Sequence, residues 1–270
     1  MIELLDVRPW MLELLTILWG LILGSFLNVC VYRLPRELSV VRPRSSCPTC
    51  SRPIAWFDNI PLVSYLLLRG RCRHCDAPIP VRYPLIEAAT GLISWLVFLR
   101  FGLGPSYFVY FLYGAALLTV SVIDLEHRII PDEISLPGIG IGLVLAGLTH
   151  FIPFLDGVTF LDAVIGLLAG GGSLLLVGLA YEAVRKQEGI GGGDIKLLAM
   201  IGVFTGWKGV LFTVFAGSLF ASIVGIAVMI ARRQNGQVPI PFGPFLSGAS
   251  FLYVLVGDRL LQAYWGMLQP

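Results

Sequence analysis

"GGGDIKLLAMIG", residues 191–202, sets one acid behind three glycines and directly ahead of an apolar run. That acid has to be explained, because the rest of the chain is built for lipid. Of the 270 residues 56% are hydrophobic and only 13% charged, and the mean hydropathy is +0.83. Ordinary soluble domains carry about 25% charged residues. The composition specifies an all-α polytopic membrane protein and excludes an ordinary soluble domain. A net charge of +2 carries no nucleic-acid signature, and no such partner is expected.

Working outward from Asp194, apolar stretches near spanning length occupy 11–32, 84–101, 106–124, 134–155, 158–181, 209–231 and 244–264, with a shorter one at 195–206. About eight transmembrane helices are expected. The segment 33–83 holds Arg33, Arg36, Arg42, Arg44, Arg52, Arg69, Arg71, Arg73 and Arg82 against Glu37, Asp58 and Asp76. Basic loops face the cytoplasm. Counting crossings from that anchor puts 125–133, 182–194 and 232–243 on the same side, where Arg128, Arg185, Lys186, Arg232 and Arg233 agree. The chain divides into a first transmembrane helix (1–32), a small cytoplasmic insert (33–83) and a membrane core (84–270). The first stretch follows Glu3 and Asp6 instead of a basic region, so it reads as a retained anchor. Its Gly20, Gly24 and Ser25 form a helix-packing face, and Asn28 needs a polar partner in the bundle.

Four of the five cysteines lie in the insert as "CPTC" and "CRHC": Cys47, Cys50, Cys72 and Cys75. Two C-x-x-C knuckles bring four thiolates into a tetrahedron that suits zinc, and an insert poor in apolar residues needs such a staple. A closed four-sulfur site leaves no open position, so the metal is expected to be structural. His74 is expected at the surface, and Cys30 as a small residue of the first helix.

Acids in or at the ends of apolar helices are costly, so each needs a reason. Here they are Glu13, Glu87, Asp124, Asp162, Asp194 and Asp258. Asp124 ends "FLYGAALLTVSVID" and Asp194 begins another helix at the same membrane face, so the two meet at equal depth. The glycines before Asp194 allow a close backbone approach that a Cβ would block. Asp132 is expected to cap a helix, and Glu87 either orients a substrate group or anchors a helix.

Two carboxylates meeting in a poorly solvated site cannot both stay ionised, so Asp124 and Asp194 would share one proton, as in aspartic proteases. One would take a proton from attacking water while its protonated partner bonds the peptide carbonyl oxygen. There is no H-E-x-x-H zinc motif, and Ser173 has no evident base beside it; the histidines are His74, His127 and His150. Two rival readings stay open. One is a magnesium-dependent phosphoryl transferase acting on a lipid phosphate, with Asp124, Asp132 and Asp194 holding the ion. The other is a non-enzymatic pilus-assembly or transport protein whose acids bind a proton or cation.

Read together, "GSFLNVCVYRLP" (24–35), the paired knuckles, "NIPLVSYL" (59–66), "RYPLIE" (82–87), "IDLEHRIIPD" (123–132), "GGGDIKLLAMIG" (191–202) and "PIPFGP" (239–244) resemble the type IV prepilin peptidases. These are bacterial membrane aspartic proteases of the G-x-G-D class that also N-methylate their product. The resemblance covers nearly the whole chain. It implies Asp124 and Asp194 as the catalytic pair, and type IV prepilins or type II secretion pseudopilins as substrates, cut after the glycine that ends a basic leader. It further implies S-adenosylmethionine as methyl donor and residence among the lipids of the bacterial inner membrane. No motif reveals the donor pocket; the insert and its flanks are where it is expected. "PIPFGP" is read either as a place for a substrate strand to pair or as a turn before the last span.

Overall fold

The computed structural model describes residues 9–149, 151–152, 155–186, 191–232 and 240–268. Its described residues form nine helices: α1 (Pro9–Arg33), α2 (Val63–Leu67), α3 (Arg82–Phe101), α4 (Pro105–His127), α5 (Asp132–Leu148), α6 (Phe160–Leu167), α7 (Ser173–Arg185), α8 (Gly192–Arg232) and α9 (Gly243–Leu268). α6 and α7 are one rod joined by a π-helical turn at Leu168–Gly172. α8 is two rods, because Gly206 (φ 68°, ψ 179°) breaks the helical path between them. With the short α2 set aside, eight rods remain, in agreement with the sequence.

Five described helices, counting α6–α7 and α8 as one each, are long and apolar enough to cross a membrane. Their outer faces carry large apolar side chains, among them Leu14, Leu15, Leu18 and Trp19 on α1 and Leu211, Phe215 and Ile223 on α8. In water such faces would aggregate; in a bilayer lipid tails solvate them.

By packing, the chain forms two compact units. The first comprises α1, the insert, α3 and Tyr107–Thr119 of α4. α1 and α3 touch backbone to backbone: a Cβ on Gly20 would lie 2.7 Å from the Gly91 Cα, and one on Gly24 would lie 2.7 Å from the Glu87 Cα. The stripe expected to pack does so against α3, which contributes Thr90, Gly91 and Ser94. Several polar groups inside are paired. Ser94 Oγ bonds the Tyr107 hydroxyl at 2.7 Å, the Trp95 indole donates to Glu13, and Asn28 Nδ2 donates to the Tyr83 carbonyl at 3.2 Å.

The second unit holds the end of α4 and everything after it, together with Gly104–Ser106. At its centre lies the first rod of α8. Leu197, Leu198, Met200 and Ile201 there are buried on all sides, against α5, α6 and the π turn. From Gly192 to Thr205 this rod has 14 residues. At 1.5 Å per residue it measures about 21 Å, short of a hydrocarbon core of about 30 Å. Its enclosure by protein is what makes that length tolerable. Gly166 and Gly202 meet backbone to backbone across α6 and α8, with no space for a side chain on either. Thr159 caps α6 in a reciprocal arrangement: its Oγ1 accepts from the Asp162 N–H and donates to the Asp162 carboxylate, which accounts for that acid. His150 and the side chain of Asp258 lie outside the described residues.

Candidate active site and metal cluster

Asp124 sits in the last turn of α4, where the helix closes on Arg128 in the left-handed conformation (φ 57°) and the Arg128 N–H returns to the Asp124 carbonyl at 2.9 Å. Its side chain is only 6% exposed. Oδ2 accepts a hydrogen bond from the backbone N–H of Gly243 at 3.0 Å. That N–H belongs to the first residue of α9, one of the donors a helix leaves unpaired at its start. The Phe-Gly-Pro of "PIPFGP" is thus a carboxylate holder, which the sequence reading missed. The signal was present: a glycine is required, because a Cβ on Gly243 would stand 2.6 Å from Oδ2.

Asp194 lies in the first turn of α8, near enough for the Asp124 charge to act directly on its carboxyl. It does not cap the helix from outside, and its N–H donates to the Gly191 carbonyl at 3.1 Å. Of the three glycines before it, Gly193 alone is closely confronted. A Cβ there would meet the Ile130 Cβ at 2.9 Å, so Gly193 lets α8 press against the segment that follows Asp124.

Asp132 corrects the capping expectation. It opens α5 after Pro131 without a side-chain cap, and both its oxygens take Lys196 Nζ, at 2.7 and 2.8 Å. With its charge already engaged, Asp132 is poorly placed to serve a three-acid magnesium site. Ser173 Oγ donates to the Gly170 carbonyl of its own rod.

In the first unit the four cysteines form one cluster, all their sulfurs within 4.8 Å of one another. Each knuckle is built alike. The Cys47 N–H donates to the Arg52 carbonyl and the Ser51 N–H to the Cys47 carbonyl; the Cys72 N–H donates to the Ala77 carbonyl and the Asp76 N–H to the Cys72 carbonyl. Ser51 and Asp76 turn the chain at positive φ, 57° and 54°. Four sulfurs about 2.3 Å from a central zinc would stand about 3.8 Å apart. The Cys47 and Cys75 sulfurs are 3.8 Å apart. Backbone N–H groups of Cys50 and Thr49 draw the Cys47 thiol down to about 6, favouring the thiolate a metal needs. Arg73, whose neighbour His74 is exposed, clamps Asp58 with hydrogen bonds from Nε and Nη2 and holds that carboxyl below its usual range.

Glu87 anchors the insert. Buried in α3, it accepts the Leu62 N–H at 2.8 Å, fixing Leu62 at φ 58° just ahead of α2.

Comparisons with known proteins agree with this arrangement. Residues 18–101 match the bacterial peptidase A24 N-terminal domain, and residues 111–226 match the type IV leader peptidase family. A Pseudomonas aeruginosa protein named prepilin leader peptidase/N-methyltransferase is 37% identical over 287 residues, covering 98% of this chain and 97% of its own. Proteins of the same name from Aeromonas hydrophila and Myxococcus xanthus are 36% and 39% identical, covering 98% and 80% of this chain and 97% and 63% of their own. No solved structure matches. Two family segments in chain order and two relatives aligned over 98% of this chain and 97% of their own lead to one assignment: the chain belongs to the type IV leader peptidase family.

Proposed function

We propose that the protein is a prepilin leader peptidase and N-methyltransferase, an aspartic endopeptidase whose catalytic pair is Asp124 and Asp194. The observation that carries this reading is geometric: Asp124 is buried and held by the Gly243 N–H, and Gly193, the residue before Asp194, is pressed against Ile130 in the segment that follows Asp124. Two carboxylates sharing a proton supply both functions of peptide hydrolysis. One removes a proton from water as its oxygen attacks the scissile carbonyl. The other donates to the carbonyl oxygen and later assists departure of the amine. Neither step needs a covalent intermediate.

The substrates are type IV prepilins and type II secretion pseudopilins. Their basic leader stays in the cytoplasm while the apolar helix behind it enters the lipid of the bacterial inner membrane. The basic residues of 33–83, with Arg128 just after α4 and Arg185 and Lys186 at the end of α7, support a cytoplasmic orientation. The four-cysteine cluster has the sulfur spacing for zinc, whose role is to staple the insert. The methyl donor is S-adenosylmethionine, and the acceptor is the amine that cleavage exposes.

Incubation of the purified protein with a prepilin, followed by mass spectrometry of the product, tests both activities at once, since leader loss and an added methyl group are separate mass changes. Asp124→Asn and Asp194→Asn are each expected to lower cleavage by about 10² to 10⁴. A folded variant of either that cleaves at the normal rate sinks the assignment of the pair.

A further inference from the structure

We infer that the insert carries a membrane-docking surface: Trp56, Ile60, Val63, Leu66 and Leu67 enter the boundary between headgroups and acyl chains beside α1 and α3, with Arg69 and Arg71 on the phosphates of anionic lipids. The surface belongs to the first unit and owes nothing to the aspartate pair.

The exposure of these side chains is what requires a partner. Trp56 is 80% exposed, Leu66 73% and Leu67 77%, with Ile60 and Val63 exposed as well. Ser64 marks the inner side of α2: it is buried, its Oγ accepts from the Ile60 N–H at 3.1 Å and it donates to the Phe57 carbonyl at 2.8 Å. Val63, Leu66 and Leu67 follow the i, i+3, i+4 spacing of a common helix face, and that face is left bare. The Ser64 bonds also tie the turn Trp56–Asn59 to α2, and the Trp56 ring meets Phe57 edge-on at 5.7 Å between centroids.

Depth selects the occupant. The Leu62 N–H is bonded to Glu87, five residues into α3 from Arg82, and Ser25 Oγ reaches Asn59 Oδ1 at 3.5 Å, eight residues into α1 from Arg33. At 1.5 Å per residue these tethers lie about 8 and 12 Å along the two rods from their insert-side ends. The 20 residues of α3 measure about 30 Å, the thickness of a hydrocarbon core. Asn59 and Leu62 are therefore held beside the upper turns of spanning helices, and α2, about 8 Å long, starts from that level. Amphipathic elements lie about 5–10 Å into the boundary, which is this depth. Val81 and Leu85, at the start of α3, expose apolar side chains at the same end.

Charge agrees. Arg69 and Arg71 follow α2, are exposed, and form no ion pair among the described residues, whereas Arg73 is taken by Asp58. Guanidinium groups bordering an apolar patch suit lipid phosphates, and tryptophan favours the membrane boundary. The same arginines would repel a basic leader, which favours lipid over substrate as the occupant.

The test uses the full-length, zinc-loaded protein in nanodiscs containing phosphatidylglycerol. The Trp56 fluorescence is the difference between wild type and Trp56→Phe, a substitution that such an exposed side chain tolerates. Lipids brominated near the top of their acyl chains are expected to quench it about twofold or more, while aqueous iodide leaves it nearly unchanged. Replacing both arginines, Arg69→Gln with Arg71→Gln, is expected to cut the bromolipid quenching by about half. Quenching unaltered in that double variant removes the anionic phosphates from the inference. Trp56 open to iodide and untouched by bromolipid overturns it altogether. So does protection from iodide that appears only when a prepilin is added, which would make the patch a substrate surface, or only when two copies share a disc, which would make it a dimer contact. None of these readouts involves cleavage, so the catalytic reading stands or falls separately.

Discussion

The backbone N–H of Gly243 donates to Oδ2 of Asp124 across 119 positions of sequence, at 3.0 Å. A helix start therefore delivers its positive end onto a buried carboxylate. Gly243→Ala adds a Cβ 2.6 Å from that oxygen, so either α9 or the carboxylate must move. Cleavage is expected to fall by about 10² or more, as when a catalytic group shifts by about an ångström. Steady-state kinetics on a prepilin substrate provide the check, with kcat as the sensitive parameter; an unchanged kcat would separate Gly243 from the chemistry.

Asp132 distinguishes peptidase from magnesium chemistry. Its bond to Lys196 is between partly exposed partners, 51% and 39% accessible, so the pair is worth at most about 1 kcal/mol. Asp132→Asn is expected to keep cleavage within about tenfold of wild type, whereas an acid holding a metal would be indispensable. The variant's rate on prepilin, set beside that of Asp194→Asn, decides the point.

Metal retention should depend on pH with a definite sign. Zinc binds thiolates, and the Cys47 thiol sits at about 6, below its ordinary 9.0. Cys75 is pushed the other way, up to about 12, by desolvation and the neighbouring sulfurs, so loading displaces protons, and the insert should hold zinc at neutral pH and release it as the pH falls, where protons compete for sulfur. A chromogenic chelator in an acid titration reports the release. Loss beginning well above neutrality would contradict the thiolate assignment. Zinc removal at neutral pH should also lower the temperature at which the insert melts.

The contact of Gly166 with Gly202 tolerates no side chain on either partner, because the opposing atoms are backbone. Gly166→Val should cost about 1–3 kcal/mol through overpacking. Thermal unfolding in detergent is the measurement. A midpoint equal to that of wild type would mean that α6 and the first rod of α8 separate more easily than their contact suggests.

Much of the fold was legible in the chain because lipid imposes a blunt rule, under which spans must be apolar and helical. The break at Gly206 was visible as a short stretch ending before Trp207, and the insert was legible because paired C-x-x-C knuckles have few uses. Polar partners were harder to foresee. Asp132 looked like a cap until Lys196 was placed opposite it, and Glu87 was undecided until the Leu62 N–H was found on its carboxylate.

By itself the order of residues determined the membrane class, the four cysteines that could hold a metal ion and the two acids that need an explanation, because composition, spacing and the cost of charge in lipid are local properties. Only the tertiary structure decided what holds Asp124, why Gly193 and Gly243 must be glycine, and that Asn28 Oδ1 has no partner among the described residues. Those depend on distances between atoms far apart in the chain, which packing alone brings to a few ångströms.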